Sequence, residues 1–478
     1  MKASLRMLDE AGAGDVHART LDLLWRVGVK YSSPKALAVL REAGARIDEE
    51  TLVAHLPADL VERALELAPR EVLLAARDPE WDARLGIGDT YTTLDGSGAY
   101  VLDHRTGERR SSTTADLAEL ARLCDALDEV SVLWNAVVAN DAAPNVQTLV
   151  ETATLLEHTA KHVQAEVQRP EEVPFVMELL AAANADGRWH PDRPTYSVVY
   201  CPVAPLQHEL EMVEACMELA RQRVPMAVYT LGLCGATAPA SLAGAVLQTN
   251  AEILSALVLF QVVEPGAPVI YVGDCGILDM HAGIYVCAGP EAILLNLALI
   301  DMAHHYGLPC TGTGFTSDAK EHSFMAGLDA GSTAMASMLA GVDLLTGMGM
   351  LDAAQLLSLP KLVLDTEIMR QCRRLARGIE FDEEHFLSDL IARVGPGGNY
   401  LTAKETRVLL RAGEHLRPRA FVRGTYDAWQ QLGRSDVQRA AELVDETLAS
   451  HRVRPLPAGA KERFDAIIAA GAAELPGR

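Results

Sequence analysis

The 478-residue sequence has eight cysteines but no CxxC pair. Its scattered thiols suit a reducing compartment better than a disulfide framework. No run of 18 uninterrupted apolar residues reads as a membrane helix. The first residues, MKASLRMLDEAGAG, carry no apolar signal core. A cytoplasmic protein that does not engage a membrane is the expectation. Basic residues are in deficit, with Lys+Arg 42 against Asp+Glu 65 and a formal net charge of −23. Such a surface argues against nucleic acid or an anionic membrane as partner and is compatible with a cationic ligand. Phosphate-binding signatures are missing as well. No GxGxxG follows the first β-rich run and no GxxxxGK[ST] occurs, while Thr311-Gly-Thr-Gly314 is only a loose likeness of a phosphate turn.

What is present is a globular balance, 49% hydrophobic and 22% charged. The length calls for a large barrel with appendages or for two to three domains. Residues 1–125 predict a helical segment with β-hairpins. Leu21, Leu23, Leu24 and Val27 make a helical stripe over 16–27, and Ser32-Ser33-Pro34 opens a helix over 35–43. Another helix is expected over 57–67 and one over 116–126. Between them, Thr90 to Thr93, Asp95-Gly-Ser-Gly98 and Thr106-Gly107 predict hairpins over 89–110. From residue 126 to 380, β-rich runs alternate with helical segments. The runs cover 131–139, 162–167, 195–203, 225–231, 267–274, 284–288, 308–315 and 342–348. Eight strands with helices between them predict an α/β fold, a (β/α)8 TIM-like barrel, with a doubly wound open sheet as the alternative. Residues 381–478 predict a C-terminal helical region. Helices are expected over 360–378, 383–393 and 426–450, with a break at Gly395-Pro-Gly-Gly-Asn-Tyr400.

Chemistry in such a barrel sits on the loops after the strands. The stretch 308–320 is the focus, because Gly312 and Gly314 are followed by Asp318 and Lys320. The other strand ends bring Glu166, Tyr200 with Cys201, Tyr229 with Cys234, Tyr271 with Asp274 and Cys275, and Cys287. One reading is a pocket for an organic cation, with Tyr200, Tyr229, Tyr271 and Phe315 offering ring faces worth about 0.5–2 kcal/mol each. A second is a thiolate zinc site from Cys201, Cys234, Cys275, Cys287 and Cys310 with His162, His281 or His322, although no local spacing supports it.

A set of motifs shared in order gives a resemblance that runs nearly end to end. It includes Val27-Gly-Val29, Ala43-Gly-Ala45, Arg77-Asp-Pro79, Thr106-Gly-Glu-Arg-Arg110, Gly235-Ala-Thr-Ala-Pro239, Asn250-Ala-Glu252, Gly289-Pro-Glu291, Ser317-Asp-Ala-Lys320, Gly347-Met-Gly-Met350 and Gly395-Pro-Gly-Gly398. On these the chain resembles the trimethylamine methyltransferase superfamily, in particular members without pyrrolysine. The resemblance implies a barrel that docks a corrinoid protein and moves a methyl group from an amine nitrogen to the cobalt of its cobalamin-type cofactor. The family's pyrrolysine position falls at or beside Ser317 and Asp318, ordinary residues here. A neutral tertiary amine is a poor methyl donor, whereas a quaternary ammonium leaves as a neutral amine and needs mainly alignment. The implied substrate is therefore a small quaternary amine such as glycine betaine, a related betaine or carnitine. The chain departs from the family pattern at Ser323 and Met325, where Asp and Gln are common, and at Asp329, where Glu is.

The expected catalytic residues are Asp318, Lys320, His322 and Glu252. Asp95, Tyr200, Asn250, Tyr271 and Phe315 are expected to bind substrate. Lys320 would pair a substrate carboxylate and Glu252 would balance the ammonium charge. Gly96 and Gly98 with Asp95 would close the pocket. No bound metal is expected, and a homo-oligomer is. The alternatives are a zinc-dependent methyltransferase built on the strand-end cysteines and a non-catalytic betaine-binding module.

Overall fold

A computed structural model describes residues 4–477. Eight parallel strands form the barrel. They are β1 (Tyr91–Thr92), β2 (Val132–Trp134), β3 (His162–Ala165), β4 (Tyr196–Tyr200), β5 (Met226–Cys234), β6 (Val269–Asp279), β7 (Cys310–Thr313) and β8 (Leu344–Thr346). Their order is β1-β8-β7-β6-β5-β4-β3-β2. The circle closes where the Ser131 amide donates to the Thr92 carbonyl at 3.0 Å. A helix follows each strand: α1 (Thr114–Ala126), α2 (Gln147–His158), α3 (Val173–Ala182), α4 (Leu210–Arg221), α5 (Leu242–Val263), α6 (Pro290–Tyr306), α7 (Phe324–Ala340) and α8 (Leu359–Arg377). The (β/α)8 expectation therefore holds, with one exchange of strands.

Residues 284–288 are not a barrel strand. Ile284–Val286 runs antiparallel to the outer end of β6, pairing Tyr285 with Leu278. The missing strand is β1, from the stretch read as hairpins, which pairs β8 through Leu344↔Tyr91. Two ladder residues give too short a pattern to be read as a strand. The Tyr100–Leu102 and Arg109–Ser111 strands do form the expected hairpin.

Strand residues are buried on both sides, as parallel sheets demand. Helix α5 shows the same principle. It is largely apolar and buried on nearly every side, and by length and composition it is the one described helix that could cross a membrane. Here it packs on β5 inside and on the N-terminal helices Glu10–Arg26 and Ala58–Leu67 outside, so it needs no polar face. Local stops explain the remaining boundaries. The helix expected over 426–450 is two, Tyr426–Leu432 and Asp436–Ser450. Gly433 turns left-handed at φ 62°, and a Ser435–Gln438 capping box starts the second. The second helix packs on α8, and Ala460–Glu474 packs on α3.

A buried lysine ties the barrel's closure together. Lys161 Nζ, 1% exposed, donates to the carbonyls of Cys124 (2.8 Å), Leu127 (2.6 Å) and Val130 (2.6 Å). These are the carbonyls between the end of α1 and the start of β2. Lys161→Met strands three buried acceptors, so we predict a loss of about 2–4 kcal/mol in denaturant unfolding. A loss under about 1 kcal/mol would show that water replaces the ammonium freely.

Candidate active site

The loops at the carboxyl ends of the strands enclose a cavity of about 670 Å³. Every strand or its following loop supplies a wall. Asp95, Gly96 and Ser97 follow β1, Trp134 ends β2, Glu166 follows β3 and Cys201 follows β4. Tyr229 and Leu231 lie on β5, Asp274 on β6, Thr316 after β7 and Ala353 to Gln355 after β8. Tyr285 enters from the antiparallel arm Ile284–Val286.

Two glycines permit the close approaches. A Cβ at Gly96 would lie 2.6 Å from the Trp134 ring and 2.9 Å from Glu166 Oε1. A Cβ at Gly276 would collide with the Tyr285 ring and the Val286 carbonyl, so only glycine lets the arm fold down onto β6.

Three carboxyl groups face this space, and among the described residues no Lys, Arg or His lines it. Asp274 accepts from the Tyr229 hydroxyl and from Thr313 Oγ1 at 2.9 Å. Asp95 accepts from the Gly96 amide at 2.9 Å and Thr316 Oγ1 at 3.3 Å. Glu166 accepts from Trp134 Nε1 at 3.1 Å. Burial pushes the Asp95 carboxyl up to about 7, helped by the neighbouring charge of Asp274. Burial pushes Glu166 up to about 7 as well, with Glu151 adding to it. Asp274 is raised by burial, against the two hydroxyls that favour its charged form.

Around the acids stand aromatic faces. The rings of Trp134 and Tyr229 meet edge to face at 5.3 Å between centroids. The buried Tyr285 hydroxyl has no hydrogen-bond partner among the described residues. Leu231, Leu233, Val203 and Met212 complete an apolar lining. Acids, ring faces and apolar walls without a cation are the environment of a positively charged group with apolar substituents. An activated thiol is not offered. Cys287 Sγ donates to Asp318 Oδ1 at 3.2 Å, and burial with that carboxylate pushes the thiol well above its usual range.

Of the nine residues expected to be catalytic or to bind substrate, Asp95 alone lines the cavity; Gly96, expected to help close it, and Tyr229, offered as a ring face, line it as well. Asp318 lies behind the wall. Its carboxylate accepts from the amides of Cys287 (3.0 Å) and Ala288 (3.1 Å), fixing the end of the arm. Lys320 Nζ sits 2.6 Å from Asp352 and donates to the Asp318 carbonyl at 2.8 Å. His322 Nε2 meets Ser358 Oγ at 2.7 Å, at the N-cap of α8, and burial lowers its pKa. Glu252 Oε1 accepts from the Leu206 amide and Gln248 Nε2, both at 2.9 Å, on buried α5. Tyr200 bonds His208 Nδ1 at 2.6 Å and Tyr271 donates to Asn250 Oδ1 at 2.8 Å, both between barrel and helices. Asn250 also donates to Thr20 and Tyr306, each at 2.9 Å, and Phe315 is fully buried.

The reason is strand parity. Alternate residues of a barrel strand face inward. On β5, Tyr229, Leu231 and Leu233 share the inner face. Tyr200 falls on the outer face while Cys201, one residue on, lines the cavity. Which parity points inward is not written in an unbroken apolar run. Trp134, Glu166, Tyr229, Asp274 and Tyr285 were reachable as strand-end residues, but no local motif marks them. The described residues bring no strand-end cysteine into a group of three possible metal ligands. Among the described residues, the one group of three that could converge on a metal is Glu380, Asp382 and His385, far along the chain and mostly exposed.

Comparison with known proteins agrees with the architecture. A sequence model of the trimethylamine methyltransferase (MTTB) family matches residues 2–476. A trimethylamine methyltransferase from Desulfitobacterium hafniense is 31% identical over 443 residues, covering 92% of this chain and 89% of that protein. A glycine betaine methyltransferase from another strain of that species is 29% identical over 447 residues, covering 93% and 92%. The crystal structure of the Methanosarcina barkeri monomethylamine methyltransferase superposes with a TM-score of 0.55 at 11% identity, covering 98% of this chain and 89% of that one. At that identity it speaks for the fold.

The raised carboxyls fix a pH dependence. Asp95 and Glu166 ionise near 3.8 and 4.5 when free and near 7 here. Below about 7 they hold protons, and above it the cavity becomes anionic. Titration calorimetry with tetramethylammonium should give binding about tenfold tighter at pH 8 than at pH 6 for one such group. In the ligand-free protein the sign reverses. The stability gained by retaining these protons is fully present below about 4 and is lost as pH rises through 7. Equal affinity at the two pH values would show that these acids do not face the cation.

Proposed function

Because the chain belongs to the trimethylamine methyltransferase family and is a methyltransferase on a (β/α)8 barrel, we propose that it takes a methyl group from a quaternary amine and passes it to the cobalt of a corrinoid carried by a separate protein. One observation carries this reading. Trp134, Tyr229 and Tyr285 surround a space that also holds Asp95, Glu166 and Asp274 and, among the described residues, no cationic side chain. The relative named a glycine betaine methyltransferase is in keeping with it.

The cavity opens at the carboxyl face of the barrel, and the surrounding loops fit a docked partner. Val203 and Met280 on those loops, Leu231 on β5 and Ile284 on the antiparallel arm are exposed apolar side chains, with Phe324 and Met325 at the start of α7. A corrinoid bound there would supply the electron pair that accepts the methyl group. The residues of this chain bind, orient and keep water out. As the carbon–nitrogen bond breaks, its electron pair stays on nitrogen and the amine leaves neutral. No proton has to move, so no general base is required. The positive charge fades along this path. The three carboxyls therefore favour bound substrate more than the transition state, and the rate derives from alignment by the aromatic walls.

The test is a panel of methylated amines incubated with the protein and a reduced cobalamin, with methyl transfer followed by cobalt absorbance. Transfer from at least one quaternary amine is expected. Transfer from trimethylamine alone would defeat the reading. Asp274→Asn should raise KM about tenfold or more while kcat stays within about threefold, as expected for a group that binds rather than accelerates. A fall in kcat at constant KM would assign Asp274 to the chemical step instead.

A further inference from the structure

Resting on the reading above, we propose that the substrate is a quaternary ammonium compound without a carboxylate, so that this site rejects betaines while accepting the ammonium group they share. The argument starts from charge. Among the described residues, the cavity walls hold three carboxyl groups and no cationic side chain. A betaine would bring a fourth carboxylate within one short linker of its ammonium, into a space of about 670 Å³ that already carries Asp95, Glu166 and Asp274. A carboxylate taken out of water needs a countercharge or several donors.

The lysine of the β7 loop is already committed. Lys320 leaves the β7 loop, but its ammonium is held 2.6 Å from Asp352 and donates to the Asp318 carbonyl at 2.8 Å. Drawing it into the cavity would strip Asp352 of its partner. His281 sits on the exposed turn of the arm and does not line the space. Trp134 Nε1, the indole donor of the wall, is spent on Glu166 at 3.1 Å. What the wall does offer is neutral. Gln355 is an amide, and the buried Tyr285 hydroxyl has no partner among the described residues. These suit a hydroxyl, ether or ester tail. The volume also exceeds what a bare tetramethylammonium fills, which leaves room for such a tail.

The test uses molecules that differ in one charge. Titration calorimetry at pH 8 compares glycine betaine with its methyl ester and with choline, using the full chain. The ester and choline should each bind at least about tenfold more tightly than glycine betaine. If glycine betaine binds as well as its ester or better, the proposal is overturned, while a quaternary-amine site survives. If neither choline nor the ester binds and trimethylamine does, the quaternary-amine reading falls and takes this proposal with it. A variant separates charge from fold. Glu166→Gln should narrow the ester-to-acid preference by about threefold or more. Weakening of both ligands in equal proportion would mean that Glu166 shapes the wall without discriminating charge, against the proposal.

Discussion

Three carboxyl groups share one cavity wall with no countercharge among the described residues, and much of the barrel's carboxyl face is arranged around that fact. Each is desolvated, which alone favours the protonated form. Each is also held by donors that favour the charged form: the Tyr229 and Thr313 hydroxyls at Asp274, the Gly96 amide and Thr316 at Asp95, the Trp134 indole at Glu166. The opposition leaves Asp95 and Glu166 near 7, where a cation entering the cavity tips them to the charged state. The ligand thus supplies the charge that the protein omits.

The surrounding structure keeps that wall in place. Asp318 clamps the amides of Cys287 and Ala288 and so holds the arm that carries Tyr285. Ser317 Oγ and the Asp318 amide both bond Asp329, which fixes the loop after β7 to α7. Buried Lys361 reaches the Phe315 carbonyl at 2.8 Å and Asp365 at 2.7 Å, and Asp365 accepts from the Gly349 amide at 2.8 Å. The loops after β7 and β8 are thereby tied to α8. Several conspicuous polar residues of the sequence work behind the wall, and the wall itself is built from less conspicuous strand residues.

That division explains what the sequence disclosed. Alternation of apolar runs and helices exposed the barrel, because seven of its strands are long enough to leave a pattern. It concealed β1, which has two ladder residues, and it lent its place to 284–288, which is β-rich but antiparallel. The Ser317-Asp-Ala-Lys320 motif was visible because its residues cluster locally. Its partners at Cys287, Asp329 and Asp352 are distant in sequence, so its supporting part could be seen only in three dimensions. Asp95 was legible because it sits in a Gly-Ser-Gly turn. Tyr229 and Asp274 were visible as strand-end residues, yet nothing in an unbroken apolar run tells Tyr229 from Tyr200 or Tyr271. The difference is one residue of parity, which sends a ring into the cavity or against α5.

The central claim is that this cavity selects positive charge, and shape alone does not separate a cation from its carbon isostere. The direct measurement is calorimetric titration at pH 8 with choline and with 3,3-dimethylbutan-1-ol, which replaces the quaternary nitrogen by carbon and is otherwise nearly identical. Choline binding at least about tenfold tighter, about 1.4 kcal/mol, is the predicted result. Equal binding of the two would contradict the account, since the acids and ring faces would then contribute shape and no charge recognition.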